Sequence, residues 1–153
     1  MAQTKCGFND GPAGQGRQLL ATYGPTILVD IGFDPGWVPG VPAKIPTPNI
    51  RGVNALIDTG AMECCIDSLL AAQLNLPITD RRRIAGVHGS HLANMYLAQI
   101  HIPTLGHTMY GMFAGVELAA GGQTHLALIG RTCLRAFTLI YEGRTGTVTI
   151  SSD

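Results

Sequence analysis

Val53-Asn54-Ala55-Leu56-Ile57-Asp58-Thr59-Gly60-Ala61 is the stretch whose reading decides the fold. Ala55, Leu56 and Ile57 make a short apolar run, too brief and too soon followed by glycine for a helix, so the stretch predicts a buried strand. The run delivers a carboxylate, a hydroxyl and a glycine at its mouth. Burial disfavours a charged carboxylate, so an acid at this place is costly unless something uses it. Gly60 permits a sharp turn and close approach by another backbone. Thr59 can both donate and accept hydrogen bonds beside the acid. The plainer reading of the triplet is an Asp that opens a turn after an edge strand.

A second stretch, Ala127-Leu128-Ile129-Gly130-Arg131-Thr132-Cys133-Leu134, is an apolar strand that ends in glycine and runs into a short amphipathic segment. The pair, LIDTGA followed some seventy residues later by LIGRTCL, resembles the retropepsin family of aspartic proteases, its bacterial members most closely, over roughly Ile27 to Ile150. The resemblance implies an all-β closed barrel of the acid-protease type with two short helices. It implies Asp58 as the catalytic residue, with Thr59, Gly60 and Ala61 completing the active-site loop and supporting a dimer. Ile129, Gly130 and Arg131 would then pack beneath that loop. One position departs from the pattern: where retroviral members often carry an acid to pair with the downstream arginine, this chain has Met62, with Glu63 the nearest acid.

Composition fits such a fold. The chain has 153 residues, which suits one domain, and 20 glycines and 9 prolines with 46% hydrophobic residues suggest short strands joined by turns. The formal net charge is zero and only 13% of residues are charged, so nothing points to a nucleic acid or an anionic membrane. No apolar stretch reaches the roughly 20 residues that span a bilayer. The first 16 residues lack the apolar core of a signal peptide. The expectation is a soluble, cytoplasmic protein whose four cysteines are reduced thiols, with Cys65 and Cys133 as small core side chains.

In chain order, residues 1–16 read as a flexible arm and 17–153 as one domain. Leu19 to Tyr23 and Thr26 to Ile31 read as strands, broken at Gly24-Pro25. Asp34 to Asn49 holds five prolines and reads as an extended loop, with Trp37 plugging it onto the core. Asp67 to Leu74 has helical spacing, with Asp67 or Ser68 as N-cap and Asn75-Leu76-Pro77 as its end. Arg83 to Ile102 reads as a long hairpin with the tip Gly86-Val87-His88-Gly89-Ser90, which the resemblance makes the flap that closes over a bound peptide. Thr108 to Val116 and Leu126 to Ile129 are further strands, Arg131 to Ala136 a short helix, and Phe137–Tyr141 with Thr147–Ile150 a closing hairpin.

Hydrolysis of a peptide by this chemistry needs two carboxylates that share a proton. The chain holds one Asp-Thr-Gly triplet, so the second carboxylate must come from a second copy in an isologous homodimer. The substrate would be a peptide or protein, with no cofactor and no metal. Three other readings stand beside this one. The same barrel could be an inactive dimerisation or peptide-binding module with Asp58 merely a hydrogen-bonded acid. His88, His91, His101, His107 and His125 with Cys64 and Cys65 are potential metal ligands, but they lack the spacing of a zinc site. A cysteine nucleophile at Cys64 or Cys133 has no base assignable from sequence.

Overall fold

A computed structural model of the chain describes residues 2–40, 44–86 and 89–152. Its centre is a closed, mixed barrel. The strands are β2 (Thr26–Gly32), β3 (Ile50–Ile57), β4 (Cys65–Asp67), β6 (Gly89–Ile102), β7 (His107–Val116) and β8 (Ala127–Ile129), and the order round the barrel is β2-β3-β8-β4-β7-β6. It closes where β6 returns to β2, with Asp30 opposite His101 and Ile31 opposite Ile100. The strand β5 (Ile78–Gly86) hangs outside the barrel on β6, completing a long hairpin. A second, three-stranded sheet has the order β1-β10-β9, from Ala2–Lys5, Thr147–Ser152 and Thr138–Glu142. The expected all-β closed barrel is therefore the architecture of the chain.

Alternation along the strands divides the apolar residues between two sides of the barrel wall. Ile27, Val29, Ile31, Val53, Ala55, Ile57, Ile66, Phe113, Ala127 and Ile129 fill the interior with Tyr96 and Ile100. Their alternate neighbours Cys65, Met95 and Ala114 form a small separate cluster on the other side, with Ile84, Val116 and Leu128 packed against it. The register makes that cluster contiguous, because Cys65 lies opposite both Ala114 and Leu128, and Met95 lies opposite Ala114.

Three expectations change. Leu19 to Tyr23 is the end of a helix, α1 (Gln15–Tyr23), not a strand. Gly16 and Leu20, four apart, are its buried face, and Gly24 ends it by donating to the Leu20 carbonyl at 2.9 Å. Five residues are too few to show a helical period, and the good helix formers Gln, Arg, Leu and Ala lie partly upstream. Within residues 1–16, read as an arm, Ala2–Lys5 pairs residue by residue with Ser152 to Thr149. The hairpin strand begins at Ile78, five residues before Arg83, because Arg81 and Arg82 pair with Asn94 and Ala93 despite their exposure.

The helix α2 (Ser68–Gln73) is where the spacing places it. Asp67 is its N-cap, accepting from the Leu70 amide at 3.1 Å. Leu76 donates to the Ala71 carbonyl and Asn75 to Ala72, with Asn75 in the left-handed region at φ 53°, a helix-terminating motif that asparagine tolerates. The other oxygen of Asp67 accepts from the Leu118 and Ala119 amides, each at 3.0 Å, so this 3% exposed carboxylate joins β4, α2 and the loop after β7. Asp67→Ala leaves three amides without their acceptor, two of them in the buried residues Leu70 and Leu118, and should cost about 3 kcal/mol. That corresponds to a fall of roughly 6–12 °C in melting temperature for a chain of this size. A shift under a degree in a thermal melt would mean that water replaces the carboxylate without loss.

Candidate active site

Ile57, the last residue of β3, lies opposite Ile129, the last of β8, in a parallel pair, so both motifs emerge side by side at one end of the barrel. From there the backbones are stitched together. Asp58 donates from its amide to the Ile129 carbonyl at 3.0 Å, Arg131 to Ala61 at 2.9 Å, and Thr132 to Met62 at 3.1 Å. The Arg131 guanidinium donates to the Thr59 carbonyl at 2.8 Å. Arg131 thus meets a backbone carbonyl, and Met62 offers it no carboxylate. A side chain at Gly130 would overlap the Glu63 carbonyl, which explains the glycine by close approach and not by an unusual φ. Helix α3 (Arg131–Leu134) follows directly.

Within the loop, the Gly60 amide donates to Asp58 Oδ1 at 2.9 Å and the Ala61 amide to the Asp58 carbonyl at 3.2 Å. This tight turn fixes the carboxylate at the mouth of the barrel, half-buried, with one oxygen engaged. Thr59 and Gly60 beside it are exposed, as is Met62 at 59%. Asp58, Thr59, Gly60, Ala61, Ile129, Gly130 and Arg131 are therefore one constellation. Asp58 can accept a proton from, or orient, a water molecule at an open surface.

The hairpin tip is a separate matter. Gly86, Gly89 and Ser90 lie on the β5–β6 hairpin, with Gly89 at φ +99°, a conformation that suits a residue without Cβ. Val87 and His88 lie outside the described residues. A cleft of about 670 Å³ opens beside the hairpin, lined by Ser68, Arg81, His91, Asn94, Tyr96 and Glu117 among others. Asp58 is not among its lining residues. A carboxylate set in an open surface turn encloses no cavity in one chain, whatever its role. Between hairpin and Asp58 loop lies the outer apolar cluster around Cys65, whose thiol is pushed up to about 12 by burial, with Glu63 and Asp58 adding to the shift.

The expectation of four reduced thiols is overturned for Cys64 and Cys133, while Cys65 is the small core side chain expected. Cys64 and Cys133 are joined, with Sγ atoms 2.12 Å apart and Cα atoms 6.7 Å apart, while Cys6 and Cys65 are free and buried. Cys64 and Cys65 are adjacent, so they point to opposite sides of the wall, and only Cys64 faces the seam against α3. Cys64 follows the first motif within a few residues and Cys133 lies inside the second, a nearness that their separation along the chain conceals. Trp37 likewise does not plug into the core. It meets Tyr110, 59% exposed on the outside of β7, edge to face at 5.2 Å, and its indole donates to the Lys44 carbonyl.

The histidines occupy different places. His91 is exposed on the hairpin, His101 bonds Thr108 Oγ1 at 2.9 Å, His107 packs on Phe137, and His125 bonds Thr26 Oγ1 at 2.7 Å. No three metal-binding side chains converge among the described residues. Burial holds His101, His107 and His125 below the ordinary imidazole range; for His101 the Asp30 carboxylate partly opposes this, and for His107 the neighbouring His101 adds to it. Their folded forms are therefore neutral where the unfolded chain, titrating near 6.5, takes up protons. Unfolding then binds protons, so stability is complete above about pH 6.5 and is lost as pH falls towards the depressed folded values. Melting temperature should be lower at pH 5.5 than at pH 7.5. An equal or higher value at pH 5.5 would contradict the three shifts.

Comparison with protein-family models gives no match, and comparison with curated proteins gives none. Among solved structures the chain is similar to the EIAV protease complexed with the inhibitor HBY-793, with 19% identity, a TM-score of 0.46, 72% of this chain covered and 85% of that one. No helix among the described residues is long and apolar enough to cross a membrane.

Proposed function

We propose that the chain is an aspartic endopeptidase that acts as a homodimer, with one Asp58 from each copy. The observation that carries this is the Asp58-Thr59-Gly60 turn, held at the barrel mouth by the Gly60 amide on the carboxylate and by five contacts from residues 129–132 and Ala61. Such rigid support for one half-buried acid is what a reaction needing a fixed carboxylate requires. Two carboxylates about 3 Å apart cannot both ionise, so the pair shares one proton. The charged member takes a proton from water, which attacks the scissile carbonyl carbon. The neutral member gives its proton to the carbonyl oxygen. Collapse of the tetrahedral intermediate then breaks the C–N bond, with a proton passed to the leaving amine. The two titrations belong to the pair, not to either residue.

Incompleteness of the site and the sheet topology support the dimer reading. One chain carries half the acid pair, and Thr59, Gly60 and Met62 stand exposed beside it. In the small sheet β10 is flanked on both sides, so the chain's own first and last strands are paired with each other, and the outer edge of β9 is open with Ile140 and Tyr141 each 54% exposed. The two-fold contact is assigned to the 58–62 loop and this edge. The hairpin acts as the flap over a bound peptide strand, with Gly86, Gly89 and Ser90 of its described residues near the tip. The partly buried side chains of Ile84, Val116 and Leu128 on the outer cluster give an apolar substrate side chain a surface to pack against.

The test is incubation with casein from about pH 4 to 8, with and without pepstatin. Ordinary carboxyls titrate near 4, so a shared proton places the activity maximum below neutrality, in a bell-shaped profile near pH 5–6. Fragments that pepstatin suppresses are expected. A profile rising steadily past pH 8, indifferent to pepstatin, would sink the mechanism.

A further inference from the structure

The backbone ties between the Asp58 loop and the 129–132 segment end in a covalent one. Cys64 closes the loop segment and Cys133 lies in α3, directly after Gly130, Arg131 and Thr132, whose contacts hold residues 59–63. We propose that the Cys64–Cys133 pair is a reversible thiol–disulfide switch that fixes the Asp58 loop when oxidised and frees it when reduced; its effect on catalysis rests on the protease reading above.

Four features place the switch here. The bridge spans 69 residues of sequence yet joins the two short segments that form the site. Around it, Cys64 accepts from the Ala114 amide at 3.1 Å through its carbonyl, so its position is transmitted to β7 as well as to α3. Cys133 is only half-buried, whereas Cys64 is 4% exposed, so Cys133 is the sulfur that a small reagent reaches first. Finally, Cys65 beside it is buried on the other side of the wall and bonded to the Glu63 carbonyl, which keeps it from competing for the bridge.

The oxidant is a small disulfide such as oxidised glutathione. The Cys133 thiolate attacks one glutathione sulfur, the glutathione S–S bond breaks, and the first glutathione thiolate leaves. The Cys64 thiolate then attacks the Cys133 sulfur of the mixed disulfide, forming the protein S–S bond and expelling the second glutathione thiolate. The two protons lost by the cysteines are taken up by the two glutathione thiolates, and two electrons pass from protein to glutathione. A dithiol reductant runs the sequence backwards.

The test uses the full chain, treated with oxidised glutathione or with dithiothreitol. Alkylation and mass spectrometry should count two free thiols, Cys6 and Cys65, in the first case and four in the second. Amide hydrogen exchange should then quicken on reduction by about tenfold or more in residues 58–64 and 130–134, with little change in β9 and β10, and should slow again on reoxidation. Cys133→Ala should exchange at the fast rate under both treatments. Casein turnover by the wild type should fall on reduction and return with the bridge. Four alkylated thiols after oxidation, or seam exchange indifferent to reduction, would overturn the switch. Oxidised protein that cleaves nothing at any pH would overturn the protease reading instead, and leave the exchange result to decide the switch.

Discussion

Asp58→Asn is expected to abolish peptide cleavage, lowering turnover on the order of 10⁴-fold or more, the scale seen when a member of a catalytic unit is removed. An amide of nearly the same volume cannot share the proton that defines the pair, and in a homodimer the substitution removes both carboxylates at once. The fold should not suffer. Asp58 Oδ1 accepts one bond from the Gly60 amide, which the Asn carbonyl oxygen can also accept. The loop's other ties, to Ile129, Arg131 and Thr132, run through backbone or through the Arg131 guanidinium. Melting temperature within about 3 °C of wild type, together with lost cleavage, would assign chemistry to Asp58 and dismiss the view that it is only a structural acid. Wild-type turnover in this variant would reject the assignment outright.

Dilution should inactivate the protein, and Thr59→Ala should make it do so at higher concentration. If the monomer holds half a site, specific activity follows the dimer fraction. Thr59 is exposed and its hydroxyl has no partner among the described residues, so the change costs the monomer little. If that hydroxyl bonds the opposing loop, each contributes about 1 kcal/mol and each dimer loses two, raising the dissociation constant about thirtyfold. Ile140→Lys, on the edge strand β9, should weaken the proposed dimer by introducing like charges into the contact assigned to that edge while leaving the Asp58 loop intact. Sedimentation paired with initial rates over a dilution series reads both effects. Undiminished activity per chain in a demonstrated monomer would refute the shared site.

How much of this was legible depended on distance along the chain. The motif strands, the Asp67-capped helix and the closing hairpin each write their own pattern into a few consecutive residues, and the structure has them where they were read. The loop and its support are legible in the same way, because Gly130 stands where backbone passes the Glu63 carbonyl and Gly60 stands against the Asp58 carboxylate. Pairings between remote segments were not. The Cys64–Cys133 bridge depends on which side of a wall each cysteine faces, and the adjacent Cys65 hid that parity. Helix α1 was misread because only Gly16 and Leu20 are buried, and a lone apolar pair cannot announce a period. Asp67 looked like a cap and no more, since Leu118 and Ala119, which it also holds, lie some fifty residues on.

The parallel register of Ile57 with Ile129 also sets where this chain can change length. Between Asp58 and Ala127 it makes the barrel strands β4 and β7, a helix and a long hairpin with their connecting loops, and on the other flank it carries the proline-rich 34–49 segment. The loops in that length do not enter the alignment of the two motif strands. Residues could be gained or lost in 34–49 or 119–124 while Asp58 and Gly130 stay level. A single residue inserted within Ala127–Ile129 is different. It would turn Leu128 inward, push Ile129 to the outer cluster, and carry Gly130 away from the Glu63 carbonyl. Lineages of this fold should therefore vary freely in their loops and keep the count of residues through these two short strands constant.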